Sequence, residues 1–184
     1  MSWYKEYKDA WKEIIETVAA EEHRTTQMVE KDTIQSMFLQ GLSKSGLPFV
    51  FKGGTALSKA YALIDRFSED IDLSMNRKPT ESEKKKAKST VTGIAEEIGL
   101  TLTNPENIQS RHSYNKYVFE YESLFSETPL EIIVETSFYQ VVYPVETHVV
   151  YSFVGRFCEK RGIKFLIPFE AAVVNMQVQS LERT

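Results

Sequence analysis

Apolar positions recur at helical spacing twice near the start of the chain and then give way to alternation. Trp3, Tyr7, Trp11, Ile14, Ile15 and Val18, with Lys5, Glu6, Lys12, Glu13 and Glu16 largely between them, predict an amphipathic helix over residues 3–20. Met28, Val29, Ile34, Met37, Phe38 and Leu42 predict a second over 25–44, stopped by Ser45-Gly46 and Leu47-Pro48. Leu47 to Phe51 then reads as a buried strand, and Lys52-Gly53-Gly54 turns the chain into a short helix with Leu57, Ala60, Tyr61 and Ile64 on one face. In the next strand Ile71, Leu73 and Met75 face one way and Asp70, Asp72 and Ser74 the other.

Beyond it, Thr80-Glu81-Ser82-Glu83 is a capping box that opens a helix running to Ile98. Short strands are predicted over 100–103 and 114–122, with residues 104–113 a loop and Tyr117, Phe119 and Tyr121 sharing one side. Over 130–138, Leu130, Ile132, Val134 and Phe138 form a core face opposite Glu131, Ile133 and Glu135. Residues 147–161 place Val150, Phe153, Val154 and Phe157 at helical spacing, although their β-branched content leaves a strand open. A β-rich stretch covers 165–168 and 171–181.

Composition narrows the classes. The 184 residues carry ordinary apolar content, enough to bury a real core. There is no apolar run of about 18 residues and no secretory leader, so a cytoplasmic protein without a membrane span is expected. A net charge of −4 argues against a broad nonspecific grip on nucleic acid. Lys84, Lys85, Lys86 and Lys88 read as a solvated helix face offset by nearby glutamates. The single Cys158 has no disulfide partner and reads as a small buried hydrophobe, and His23, His112 and His148 are scattered.

The chemistry is concentrated in residues 49–75. Asp70 and Asp72, at i and i+2 on a strand, point to one face, which makes a small divalent-metal site from very few residues. Gly53 and Gly54 permit positive φ and close approach of a ligand to the backbone. The N–H groups at the helix start that follows, with the Thr55 hydroxyl, suit phosphate oxygens. Ser68 shares the acidic face and suits phosphate or metal. Lys52 and Arg66 either offset phosphate charge or are solvated strand-end cations. A two-metal site needs a third carboxylate on an adjacent strand, for which Glu135 is the first candidate and Glu131 the second; both equally fit a solvent-facing strand.

The strand, Gly-Gly-Thr turn, helix and Arg66-Phe67-Ser68-Glu69-Asp70-Ile71-Asp72-Leu73 resemble the signature of the polymerase-β-like nucleotidyltransferase superfamily. More narrowly, KGGTALSKAY followed by RFSEDIDLS is similar to the AbiEii/AbiGii-type toxin nucleotidyltransferases. The resemblance implies an α+β fold: a mixed sheet flanked by helices, with residues 1–46 an N-terminal helical pair packed on a nucleotidyltransferase core over 47–184. It also implies Mg²⁺ on Asp70, Asp72 and Glu135, and a nucleoside triphosphate cradled at Lys52, Gly53, Gly54, Thr55, Arg66 and Ser68. The implied reaction transfers a nucleotide to a hydroxyl acceptor, which in several such toxins is transfer RNA, with an antitoxin encoded beside the toxin. Family members continue into a helical region bearing a phosphate-contacting lysine and another acidic residue. The chain stops at Thr184 just before it, so a C-terminally truncated core is expected. The alternative is a catalytically silent module that keeps the fold and binds nucleotide or a partner.

Overall fold

The computed structural model describes residues 6–64, 67–111, 113–142, 144–163 and 173–181. Trp3, Lys5, Arg66, His112, residues 165–168, Ala171, Ala172 and Thr184, named above, lie outside the described residues.

Helix α1 (Lys8–Glu21) buries Trp11, Ile15, Val18 and Ala19. Helix α2 (Thr26–Lys44) is capped by Thr25, whose hydroxyl accepts from Met28 N. It lies against the sheet and is flanked by three other helices. Its buried set includes Glu30, Asp32, Thr33, Gln35 and Ser36 beside Ile34, Phe38 and Leu39, so it is enclosed rather than simply amphipathic. Each buried polar group is therefore expected to have a structural partner. Glu30 takes its partners from α1 and a distant loop, accepting from Trp11 Nε1 at 3.0 Å, Leu124 N at 3.1 Å and the Ser123 hydroxyl.

Strand β1 (Phe49–Lys52) runs into α3 (Gly53–Lys59), and β2 (Asp70–Met75) returns antiparallel to β1. Helix α4 (Glu81–Glu97) opens with the expected capping box between Thr80 and Glu83. Strands β3 (Thr101–Leu102), β4 (Gln109–Arg111), β5 (Tyr114–Tyr121), β6 (Leu130–Gln140) and β7 (Val145–Tyr151) follow, then α5 (Phe153–Arg161) and β8 (Val173–Gln179). The sheet order is β3-β5-β6-β2-β1-β8-β7, with β4 paired to β5. It is mixed: β2 is parallel to β6 and β1 to β8, while the remaining pairs are antiparallel. One hydrophobic cluster joins Trp11 and Phe38 of the helices to Phe51, Ile71, Phe119, Val134 and Val178 of the sheet.

Three elements differ from expectation. The short helix α3 ends at Lys59 with Ala60 as its C-cap, and Ala62 takes a φ of +52°, so Tyr61 and Ile64 lie beyond the helix rather than on its face. Residues 147–161 split into β7 and α5, because Ser152 caps a new helix by accepting from Gly155 N at 2.9 Å; the helical spacing of Val150 and Phe153 straddles that boundary. The loop 104–113 contains a 3₁₀ turn at Pro105–Asn107 and the short strand β4, fixed where Lys116 N donates to Ile108 O at 2.8 Å. Cys158 is buried on α5, and burial pushes its thiol up to about 11. Among the described residues no helix is long and apolar enough to cross a membrane.

Candidate active site

The pairing registers bring four charged residues to one level of the sheet. Lys52 of β1 is opposite Asp72 of β2, Asp72 is opposite Glu135 of β6, and Glu135 is opposite Lys116 of β5. Residues paired across neighbouring strands point to the same face. The level therefore reads cation, anion, anion, cation, with Asp70 two residues along β2 on the same side. Glu135 was expected from alternation alone, and the register sets it directly beside Asp72. Glu131 stands four residues earlier on β6, opposite Glu120.

The glycine turn closes against this level. Gly53 has φ +76°, which favours glycine, and a Cβ there would lie 2.2 Å from Asp72 Oδ2. Gly54 follows in the first turn of α3. The Thr55 hydroxyl is turned inward, donating to the carbonyl of Asp70, and Thr55 is buried. This bond ties the turn to the first residue of the carboxylate strand.

Helix α2 holds both halves of the site from behind. Gln35 Nε2 donates to the carbonyls of Ser68 and Glu69, at 3.3 and 2.9 Å, fixing the approach to β2. Lys31 pairs with Glu69 at 3.1 Å. One turn away, buried Asp32 accepts from Lys59 Nζ of α3 at 2.5 Å and from Phe153 N of α5 at 2.7 Å. Lys59 also donates to Ser36 Oγ at 3.0 Å, and its burial draws the ammonium below its ordinary pKa even beside Asp32. Arg156 of α5 closes the cluster on the carbonyls of Ser58 and Lys59, so α3 is anchored at its far end by two other helices.

The carboxylates are frustrated as they stand. Burial, then the charge of Glu135, pushes Asp72 above the usual carboxylate range, with Lys52 opposing; Asp70 is raised by burial and Glu135 in the same way. Glu135 itself is engaged from β5. Lys116 Nζ lies 3.7 Å from its Oε1, and Tyr114 bonds to it, the burial of the phenol and that hydrogen bond raising the tyrosine pKa.

Hard oxygen donors suit Mg²⁺, which commonly takes one or two protein carboxylates and completes its shell with water and substrate phosphate. Among the described residues no three His, Cys, Asp or Glu side chains form a complete metal-holding group. The fit is to Asp70 and Asp72 as the two-carboxylate share of such a shell. Both have a proton affinity raised by burial and by a neighbouring negative charge, which a cation would relieve.

The residues the sequence reading passed over are Asp32, Gln35, Lys59, Tyr114 and Lys116. Polar positions inside an otherwise apolar α2 were the available sign of the first two. Tyr114 and Lys116 were legible as the face of β5 opposite Tyr117 and Phe119, but nothing local gave their register.

Fold and site together define a protein of the nucleotidyltransferase fold, built around a two-aspartate strand against a glycine turn. Two solved structures from Helicobacter pylori share that fold: JHP933, with a TM-score of 0.52 at 19% identity over 86% of this chain, and a putative nucleotidyltransferase, with a TM-score of 0.51 at 18% identity over 86% of this chain. The chain covers 54% and 56% of their lengths, a little over half of each. No curated protein matches the sequence. The chain belongs to the AbiEii family, described as "Nucleotidyl transferase AbiEii toxin, Type IV TA system", whose model matches residues 38–184.

Proposed function

We propose that the protein is the nucleotidyl-transferring toxin of a toxin–antitoxin pair, acting in the cytoplasm on a nucleoside triphosphate and a hydroxyl acceptor such as transfer RNA. The observation that carries this is the contact between Gly53 and Asp72. A backbone turn suited to phosphate is packed directly against a carboxylate suited to a divalent cation, with no room for a side chain between them. We read residues 47–184 as the transferase core and 1–46 as a helical pair packed on it.

Mg²⁺ bound there would neutralise triphosphate charge and lower the pKa of the attacking hydroxyl. Asp70 and Asp72 would hold it, with Glu135 as a third carboxylate on the neighbouring strand. Lys52, level with Asp72, would offset phosphate charge. The backbone N–H groups of Gly53, Gly54 and Thr55 would meet phosphate oxygens; the Thr55 hydroxyl is already committed to Asp70. Ser68 and Arg66 complete the proposed nucleotide contacts. A cognate antitoxin is the partner the family description implies.

A ligand that binds only the native state raises its melting temperature. Nucleoside triphosphate with Mg²⁺ should therefore shift the wild type and not an Asp70→Asn/Asp72→Asn variant. No shift in either protein would sink the reading. Labelled triphosphates incubated with total RNA then test transfer itself. A shift without labelling would favour a nucleotide-binding module that does not turn over.

A further inference from the structure

We propose that Gln35 is a positioning residue: by holding the carbonyls of Ser68 and Glu69 it fixes where Asp70 stands relative to Asp72, and so makes the two-aspartate site favour Mg²⁺ over a larger divalent cation. This rests on the nucleotidyl-transfer reading and assigns what sets the metal preference of that same site. The two aspartates are not held alike. Asp72 lies inside the sheet ladder, opposite Lys52 on one side and Glu135 on the other. Lys52 is the last residue of β1, so Asp70 reaches past the end of that strand and keeps a strand partner only on β6, opposite Ile133.

Side chains take over where β1 ends. The Asp70 carbonyl accepts from the Thr55 hydroxyl, and the carbonyls of Ser68 and Glu69 accept from Gln35 Nε2 at 3.3 and 2.9 Å. Three consecutive carbonyls leading into the carboxylate strand are thus held by two helices, α3 and α2. Successive residues of an extended strand face opposite ways, so two carbonyls that converge on one nitrogen mark and fix a bend just before β2. That bend sets the direction from which Asp70 enters the face. The other link from α2, Lys31 to Glu69, ends on a carboxylate that is 71% exposed and holds the segment less firmly.

Packing alone does not account for an amide at this position. Gln35 is fully buried, and its Oε1 has no hydrogen-bond partner among the described residues. An apolar side chain of similar size would bury no such oxygen; what only the amide supplies is the pair of N–H bonds. Gln35 also stands one turn from Asp32, which holds Lys59 of α3, so α2 is a common frame for the bend and for the helix that bears Thr55. Mg²⁺ demands near-ideal octahedral geometry with short bonds, whereas Ca²⁺ accepts variable coordination at longer ones. A carboxylate pair with fixed spacing therefore discriminates between them, and a pair with one loosened member discriminates less. Asp70 is the member that loss of Gln35 loosens.

The test uses the full chain with an equimolar mixture of the α,β-methylene analogues of ATP, CTP, GTP and UTP, and reads the melting temperature against Mg²⁺ or Ca²⁺ concentration. In the wild type Mg²⁺ should give half of the nucleotide-dependent shift at a lower concentration than Ca²⁺. Gln35→Met should need several-fold more Mg²⁺ while its Ca²⁺ requirement changes by less than about twofold. Gln35→Asn, whose amide is one methylene short, should fall between, and it carries the same comparison should the methionine variant not fold. Asp70→Asn should lose both responses. The ratio of the two requirements is taken within each protein, so a lowered melting temperature without ligand does not enter it, and a merely structural glutamine would leave it unchanged. Equal changes for both metals in a folded variant, or no change for either, overturn the proposal and leave the transfer reading standing. No shift in the wild type with either metal removes both.

Discussion

Gly53 and Asp72 are packed so closely that a Cβ on the glycine would meet Oδ2 at 2.2 Å and Cγ at 2.9 Å. The whole carboxylate, not only its tip, would have to move. The positive φ adds about 1 kcal/mol of backbone strain for any other residue. Gly53→Ala is therefore expected to remain folded with a melting temperature lowered by a few degrees and to lose the Mg²⁺-triphosphate shift. A melting scan with and without ligand checks both. A variant that keeps the full shift would mean that the turn and the carboxylate do not share a ligand.

Asp70 and Asp72 carry a stability cost whose sign follows from their raised pKa values. The folded protein holds these protons more tightly than the unfolded chain, so stability is greatest while both are protonated. It declines as pH rises from the ordinary aspartate value near 3.9 through the raised one. Asp72→Asn should accordingly melt higher than wild type at pH 7 without metal, by a few degrees, as when a functional-site strain is relieved. That gap should close below about pH 4. Added Mg²⁺ should raise the wild type and leave the variant unmoved. A lower melting temperature for the variant at pH 7 would show that the carboxylate is a net stabiliser.

Asp32 and Lys59 are both buried, and each has further partners that a single substitution would strand. Lys59→Met leaves the Asp32 carboxylate on the backbone N–H of Phe153 without its cation, and Asp32→Leu leaves a buried ammonium without its carboxylate. Removing one member of such a pair costs about 3–5 kcal/mol. The double variant should recover much of that loss, a coupling of at least about 1 kcal/mol in a urea-denaturation cycle. Because α3 begins at the glycine turn, a folded double variant should also bind Mg²⁺-triphosphate more weakly than wild type. Additive single losses would argue that the two side chains do not act as a unit.

How much of this was legible follows the range of each interaction. Asp70 and Asp72 stand out because i, i+2 alternation is local, and Glu135 because the same alternation on β6 separates it from Ile132 and Val134. The level Lys52, Asp72, Glu135, Lys116 was hidden, since it depends on the register of three strand pairs and one residue of slip would turn a whole strand over. Asp32 and Gln35 were hidden for a related reason. Their partners on α3, α5 and the loop before β2 are 27 to 121 residues away, so nothing near them in the chain explains why polar groups sit in an enclosed helix. The boundary between β7 and α5 was misjudged because hydrophobic spacing continues across Ser152 while the backbone changes.

Thr55 offers the finest test of how the turn and the carboxylate strand are joined. Its hydroxyl donates to the carbonyl of Asp70 from a buried position, and no phosphate is needed to satisfy it. Thr55→Val removes the donor at nearly constant volume and leaves a carbonyl without this partner at the head of β2, a loss of about 1–3 kcal/mol. Thr55→Ser keeps the donor and should lose far less. If the bond sets the distance between turn and carboxylates, Mg²⁺-triphosphate affinity by calorimetry should fall in the valine variant and hold in the serine one. Equal loss in both would instead assign the role to the threonine methyl and its packing, and equal affinity in both would show that the turn is positioned without this bond.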